Sequence, residues 1–162
     1  MGEKPDMENI DTKMVVKIGI VVKNIEETVD AFQAVFGFTQ RPEFRKPSGE
    51  AACDPRRYQR YQGKEIRAKL KSCIIPLEPV YLEVLEPEED GTGPWADYLK
   101  KRGNGVCFIS FYVNGFEQKI DFMNRSGFPA EFVEEKGFER YAYFKTMEKL
   151  GFLLEMKERG DV

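Results

Sequence analysis

With 162 residues, 41% of them hydrophobic and 13% aromatic, the chain has room for one ordinary domain or for two small modules sharing a core. Its 25 Lys and Arg are scattered among 28 Asp and Glu, and the resulting net charge of −3 argues against a nucleic-acid binder. There is no histidine, which removes Ser-His and Cys-His nucleophile pairs and every histidine-ligated metal.

The N-terminal stretch MGEKPDMENIDTK is polar and charged, reads as a mobile arm, and lacks the apolar core of a signal peptide. Three cysteines, Cys53, Cys73 and Cys107, form no CxxC pair and suit a reducing compartment. No apolar run is long enough to span a membrane, so a cytoplasmic location is expected.

MVVKIGIVV, from Met14 to Val22, is a short β-branched run and predicts a buried strand. Asn24 then caps a helix with Glu27 at the capping-box position, and Ile25, Val29, Phe32 and Phe36 share its apolar face until Gly37 ends it. Strand-like stretches follow at Phe38 to Phe44, Ile66 to Pro76 and Val80 to Glu86, with a Pro/Gly loop running through about Asp54. One region here is locally basic: Arg56, Arg57, Arg60, Lys64, Arg67, Lys69 and Lys71. It reads either as a solvated hairpin or as an anchor for a ligand phosphate or carboxylate. Pro94 opens a short connector helix packed through Trp95, Tyr98 and Leu99.

The pattern then restarts, with strand CFISFYV from Cys107 and helix FEQKIDFMNRS from Phe116. KIGIVVKNIEETVDAFQAVFGF matches FISFYVNGFEQKIDFMNRSGF in order, setting Lys17 against Phe108. IRAKLKSCII pairs with ERYAYFKTME, which sets Arg67 against Arg140, and PVYLEVLE pairs with GFLLEMKE, which sets Glu83 against Glu155. Such a repeat predicts two β-α-β-β-β modules, neither able to bury its sheet face alone. The expected division is an arm at 1–13, a first module at 14–88, a connector at 89–105, a second module at 106–159 and a tail at 160–162.

KIGIVVKNIEETVDAFQAVFGF, YLEVLEP, GPWADYLKKRGNGV, FISFYVNG and RYAYFKTMEKLGFLLEM together resemble the vicinal oxygen chelate superfamily. This is the glyoxalase, bleomycin resistance protein and extradiol dioxygenase group, and the methylmalonyl-CoA epimerase-like and glyoxalase-like proteins are the nearest branch. The resemblance runs from about Met14 to Glu158. It implies an α+β fold of two βαβββ modules pairing into a cupped mixed β-sheet, and a homodimer.

In that superfamily four inward side chains, usually two histidines and two Glu or Gln, ligate a divalent metal from the first and last strand of each module. Carried over, the first-strand positions hold Lys17 and Phe108, and the last-strand positions hold Glu83 and Glu155. Phenylalanine has no donor atom, and lysine ligates only after losing a proton whose reference pKa is about 10.4. The expectation is therefore a degenerate site with no cofactor, Glu83 and Glu155 remaining for a weakly held cation such as magnesium. If the two carboxylates face inward, Lys17 is their counter-ion and stands where the metal would; the alternative is that they face solvent on the outer sheet face.

The expected catalytic group is Glu83, Glu155 and Lys17, a glutamate serving as general base and the lysine charge holding an oxyanion. The expected ligand-lining residues are Phe108, Arg67, Arg140, Tyr143 and Tyr61, with Tyr58 and Tyr141 as further candidates. Cys107 precedes Phe108 by one residue and is expected to point the opposite way as a buried thiol.

Three functions fit. One is isomerase-, epimerase- or lyase-type proton transfer on a small carbonyl, acyl or aromatic compound, metal-free or, as the alternative, dependent on a divalent metal. The second is metal-free small-molecule binding, as in drug-sequestering members of the superfamily. The third is a fold retained without a ligand.

Overall fold

Alternation along β1 (Val15–Val21) divides its side chains between two environments. Lys17, Gly19 and Val21 face one side of the sheet, and Val16, Ile18 and Ile20 face the other. The computed structural model describes residues 9–45, 56–137 and 139–158, and in it this strand lies near the centre of a ten-stranded mixed sheet. The loop up to Asp54, Cys53, the first eight residues and the tail fall outside the described residues.

Helix α1 (Ile25–Phe36) begins as expected, the Asn24 side chain accepting from the Glu27 backbone N–H, and it ends at Gly37 with φ 69°. The chain then forms β2 (Phe44–Arg45), the hairpin β3 (Tyr58–Tyr61) and β4 (Lys64–Ile66), β5 (Leu70–Ile75), β6 (Tyr81–Pro87) and α2 (Pro94–Arg102). The second module comprises β7 (Gly105–Val113), α3 (Phe116–Arg125), β8 (Ala130–Glu135), β9 (Arg140–Phe144), the one-turn α4 (Met147–Leu150) and β10 (Leu153–Glu158).

The strand order is β2-β5-β6-β1-β7-β10-β9-β8-β3-β4. Strand β1 runs parallel to β6, β7 runs parallel to β10, and β1 and β7 join the halves antiparallel. Lys17 pairs with Ser110, Gly19 with Phe108, and Ile18 with Ile109, so an approximate twofold axis passes between the two isoleucines. Under that axis Lys17 corresponds to Phe108, Gly19 to Ser110 and Glu83 to Glu155, as the internal repeat predicts for Lys17 and the glutamates.

Helices α1 and α3 cover the outer face. Ile25 and Val29 pack on Cys73, Ile75 and Val84, while Phe116 and Met123 pack on Ala142, Phe144, Leu154 and Met156. Fully burying each such aliphatic or aromatic side chain contributes roughly 1.5–3 kcal/mol, so these layers hold the curled sheet against its helices. On the inner face, α2 inserts Trp95 into one end of the cup against Val21, Leu85, Phe108, Phe132, Tyr143 and Leu153.

Three details differ from the sequence expectations. Phe38 to Phe44 is a strand only at its end, because Phe38 turns back to stack on Phe36 and Pro42 lacks the N–H a ladder needs. The stretch Ile66 to Pro76 is broken at 67–69, and its two parts lie at opposite ends of the sheet. Its first part pairs with β3 through a two-residue turn in which Gln62 (φ 51°) and Gly63 (φ 79°) are both left-handed, and the hairpin docks on β8 of the second module. Finally, the counterpart of Arg140 is Lys71, not Arg67. Lys71 lies opposite Glu86 on β6, just as Arg140 binds Glu158 on β10.

Candidate functional site

The inner face near the twofold axis holds a charged cluster in otherwise apolar surroundings. The Lys17 ammonium, carried by β1, donates to Glu83 Oε2 at 2.8 Å. The two residues are only 7% and 9% exposed, and Glu155 on β10 is 1% exposed. Burial lowers the Lys17 pKa, but Glu155 and Glu83 outweigh it and hold the pKa above the ordinary lysine value. Burial, opposed by Lys17 and reinforced by Glu83, leaves the Glu155 carboxyl pushed up to about 7. A carboxyl poised near neutrality beside a fixed ammonium can exchange a proton at ordinary pH.

Aromatic rings enclose the cluster. The Lys17 ammonium lies 5.7 Å from the ring centres of both Phe108 and Tyr141. Phe108 packs on Tyr143 at 5.0 Å, and Trp95 Nε1 donates to the Tyr143 hydroxyl at 3.3 Å. The phenol's pKa is raised well above the usual range, first by burial and then by Glu155 and Glu83, so it remains a neutral hydrogen-bonding group. A Cβ built on Gly19 would collide with the Phe108 ring, so the bare glycine is what lets that ring lie across β1.

The structure brings together Lys17, Glu83, Glu155, Phe108 and Tyr143. Tyr61 lies at the α2 end of the cup, its hydroxyl donating to Asp97 Oδ2 at 2.6 Å. Arg67 is exposed between β4 and β5. Arg140 faces outward, its guanidinium donating to both carboxylate oxygens of Glu158 at 2.6 and 2.7 Å and to Glu117 at 3.0 Å. Neither arginine therefore reaches the cluster. Cys107 does not point away from Phe108; a bulge in the β1–β7 register lets both residues pack into the same inner cluster. Its thiol is buried, and burial followed by Glu155 raises its pKa, which leaves it a poor nucleophile.

Two residues missed by the sequence reading stand here. Ser110 is the cross-strand partner of Lys17 on one side and of Glu155 on the other. Gly19 is the seat of the Phe108 ring. Ser110 was findable, since it follows Phe108 by two residues in an alternating strand and is the lone hydroxylic residue of CFISFYV apart from Tyr112. Two surface hollows lie away from the cluster, one of about 420 Å³ along α1 beside Phe32, Val35 and Phe36, the other beside Lys23 and Asn104.

Two modules related by that twofold axis, joined through β1 and β7 and closing a cup over two pairs of equivalent inward positions, define a paired-βαβββ protein. The model of the Glyoxalase/Bleomycin resistance protein/Dioxygenase superfamily matches residues 17–144, and the chain belongs to that superfamily. Among solved structures it is similar to methylmalonyl-CoA epimerase from Mycobacterium tuberculosis at 14% identity and a TM-score of 0.59, covering 91% of this chain and 88% of that one. A Streptomyces coelicolor methylmalonyl-CoA epimerase variant in complex with 2-nitronate-propionyl-CoA is 20% identical, with a TM-score of 0.58 and coverage of 92% and 96%. A methylmalonyl-CoA epimerase in complex with methylmalonyl-CoA and NH4+ is likewise 20% identical, with a TM-score of 0.56 and coverage of 89% and 92%. No curated protein matches. These likenesses establish the fold. No helix among the described residues is long and apolar enough to cross a membrane.

The family often binds a divalent metal, and at the four positions that the resemblance assigns to it the donor set here does not fit one. Phe108 offers no lone pair, and the Lys17 ammonium is already hydrogen-bonded to Glu83. Among the described residues no three His, Cys, Asp or Glu side chains converge as a ligand set.

Proposed function

We propose that this protein binds a small carbonyl or acyl compound in a metal-free cup and moves a proton at the carbon beside the carbonyl. Lys17 supplies the positive charge that the family otherwise takes from a metal, and Glu155 acts as the base. The observation that carries this reading is the buried Lys17–Glu83 pair with Glu155 beside it, a cation set among two carboxylates at the family's metal position. An enolate oxygen needs such a charge, and a buried ammonium is worth more there than in water.

The reading includes a homodimer, as the resemblance implies, and size-exclusion chromatography with light scattering checks that part. Catalysis is tested by following exchange of α-protons with D2O by NMR across a panel of acyl-CoA thioesters and 1,2-dicarbonyls. Exchange that is lost in both Lys17→Ala and Glu155→Gln is the expected result. Exchange that survives both substitutions would sink the reading.

A second reading is binding of an aromatic guest without catalysis, for which the mutually packed rings of Phe108, Tyr143, Phe132 and Trp95 offer stacking partners. It predicts thermal stabilisation by aromatic ligands with no α-proton exchange in any compound of the panel.

A further inference from the structure

Two buried polar atoms on the inner face have no hydrogen-bond partner among the described residues: the Ser110 hydroxyl oxygen and Glu155 Oε2. Ser110 is 0% exposed, Glu155 1%. They are register partners on β7 and β10, and Ser110 pairs with Lys17 on its other side. An ammonium, a hydroxyl and a carboxylate therefore stand side by side on one face of three adjacent strands. Folded proteins leave few buried polar atoms unpaired, because each keeps its full desolvation cost. Two orphans on strands next to the one that carries a buried cation mark a place fitted to something that brings the missing partners. The twofold-related position is Gly19, so the hydroxyl is not a requirement of the sheet geometry.

We propose that Ser110 is a catalytic hydrogen-bond donor of this site, its hydroxyl joining the Lys17 ammonium on the substrate's carbonyl oxygen while Glu155 Oε2 takes the proton. This rests on the proton-transfer reading above. In the step, ionised Glu155 Oε2 removes the hydrogen on the carbon beside the carbonyl. The C–H electron pair becomes the new carbon–carbon double bond, and the carbonyl π pair moves onto oxygen. That oxygen then accepts from the Ser110 O–H and the Lys17 N–H. Return of a proton from the Glu155 carboxyl to that carbon restores the carbonyl compound and the carboxylate. The balance needs no oxidant, metal or second substrate. A neutral hydroxyl on a rigid strand suits the second donor, because it adds no further charge to a cluster that already holds two carboxylates and one ammonium.

The test compares Ser110→Ala, Ser110→Thr and Glu155→Gln with the wild type in two measurements: ligand-free melting temperature, and α-proton exchange of propionyl-CoA and butane-2,3-dione in D2O. Ser110→Ala is expected to melt at or above the wild-type temperature, since the lost hydroxyl holds nothing in the free protein. Its exchange rate is expected to fall about 100-fold with KM nearly unchanged, and Ser110→Thr to recover most of the loss. A clearly lower melting temperature for Ser110→Ala would overturn the proposal by showing that the hydroxyl serves the fold. Exchange unaffected by Ser110→Ala yet abolished by Glu155→Gln would overturn the role of Ser110 and leave the proton-transfer reading standing. No exchange of either probe by the wild type would overturn both.

Discussion

Across the axis between Ile18 and Ile109, Lys17 is matched by Phe108, Gly19 by Ser110 and Glu83 by Glu155. The strands on the two sides pair alike, yet only the glutamate is kept in both modules. In the first module the carboxylate has a cation at 2.8 Å; in the second, the equivalent carboxylate has an unpaired oxygen and a pKa near neutrality. Backbone pairing fixes where four side chains converge but not their charge. The two halves differ in charge and in hydrogen bonding, and substitutions that even them out are the most informative.

The largest effect is expected from removing the cation. Lys17→Ala leaves two buried carboxylates uncompensated, and breaking a buried pair in this way costs about 3–5 kcal/mol, on the order of 10 °C in melting temperature. Calorimetry checks this, and the double variant Lys17→Met with Glu83→Leu should be less damaged than Lys17→Met alone. Next comes Glu155, whose carboxyl rises from 4.5 when free to about 7 when buried. Between those values the folded chain holds a proton that the unfolded chain has released. This group's contribution to stability is therefore greatest below about pH 4.5 and falls as pH rises through 7. The loss is on the order of 3 kcal/mol across the window. Urea titrations between pH 4 and 8 should show that slope in the wild type and a flatter one in Glu155→Gln.

A smaller effect, about 1–3 kcal/mol from overpacking, is expected for Gly19→Ala, because its methyl group meets the Phe108 ring. Pairing it with Phe108→Leu should recover part of the loss, a coupling that a double-mutant cycle measures. The smallest belongs to Arg140→Ala. Its ion pairs are partly solvated and face away from the cup, so about 1 kcal/mol or less is expected, with no change in ligand affinity.

Much of this arrangement was legible in the residues. The β-branched run around Lys17, the Asn24 cap, the Gly37 stop and the repeated offset that pairs Glu83 with Glu155 all act locally or through period-2 alternation, and each survives in the structure. The hairpin from Tyr58 to Ile66 was not legible as a partner of β8, because edge pairing across the cup is a tertiary choice that no local pattern encodes. The Arg67–Arg140 match failed for a related reason. Similar letters aligned four residues out of the true register, which the Lys71–Glu86 and Arg140–Glu158 pairs define. Cys107 escaped because a bulge breaks the alternation on which its expected direction rested.

The central claim is that the Lys17 ammonium takes the place of a metal ion between Glu83 and Glu155. Its most direct test is the metal content of purified protein carrying no histidine tag, together with melting curves in added magnesium, manganese, cobalt, nickel and zinc. The expected result is no stoichiometric metal and no shift with any of the five. A metal near one per chain, with a stabilisation abolished by Glu83→Ala or Glu155→Ala, would contradict it.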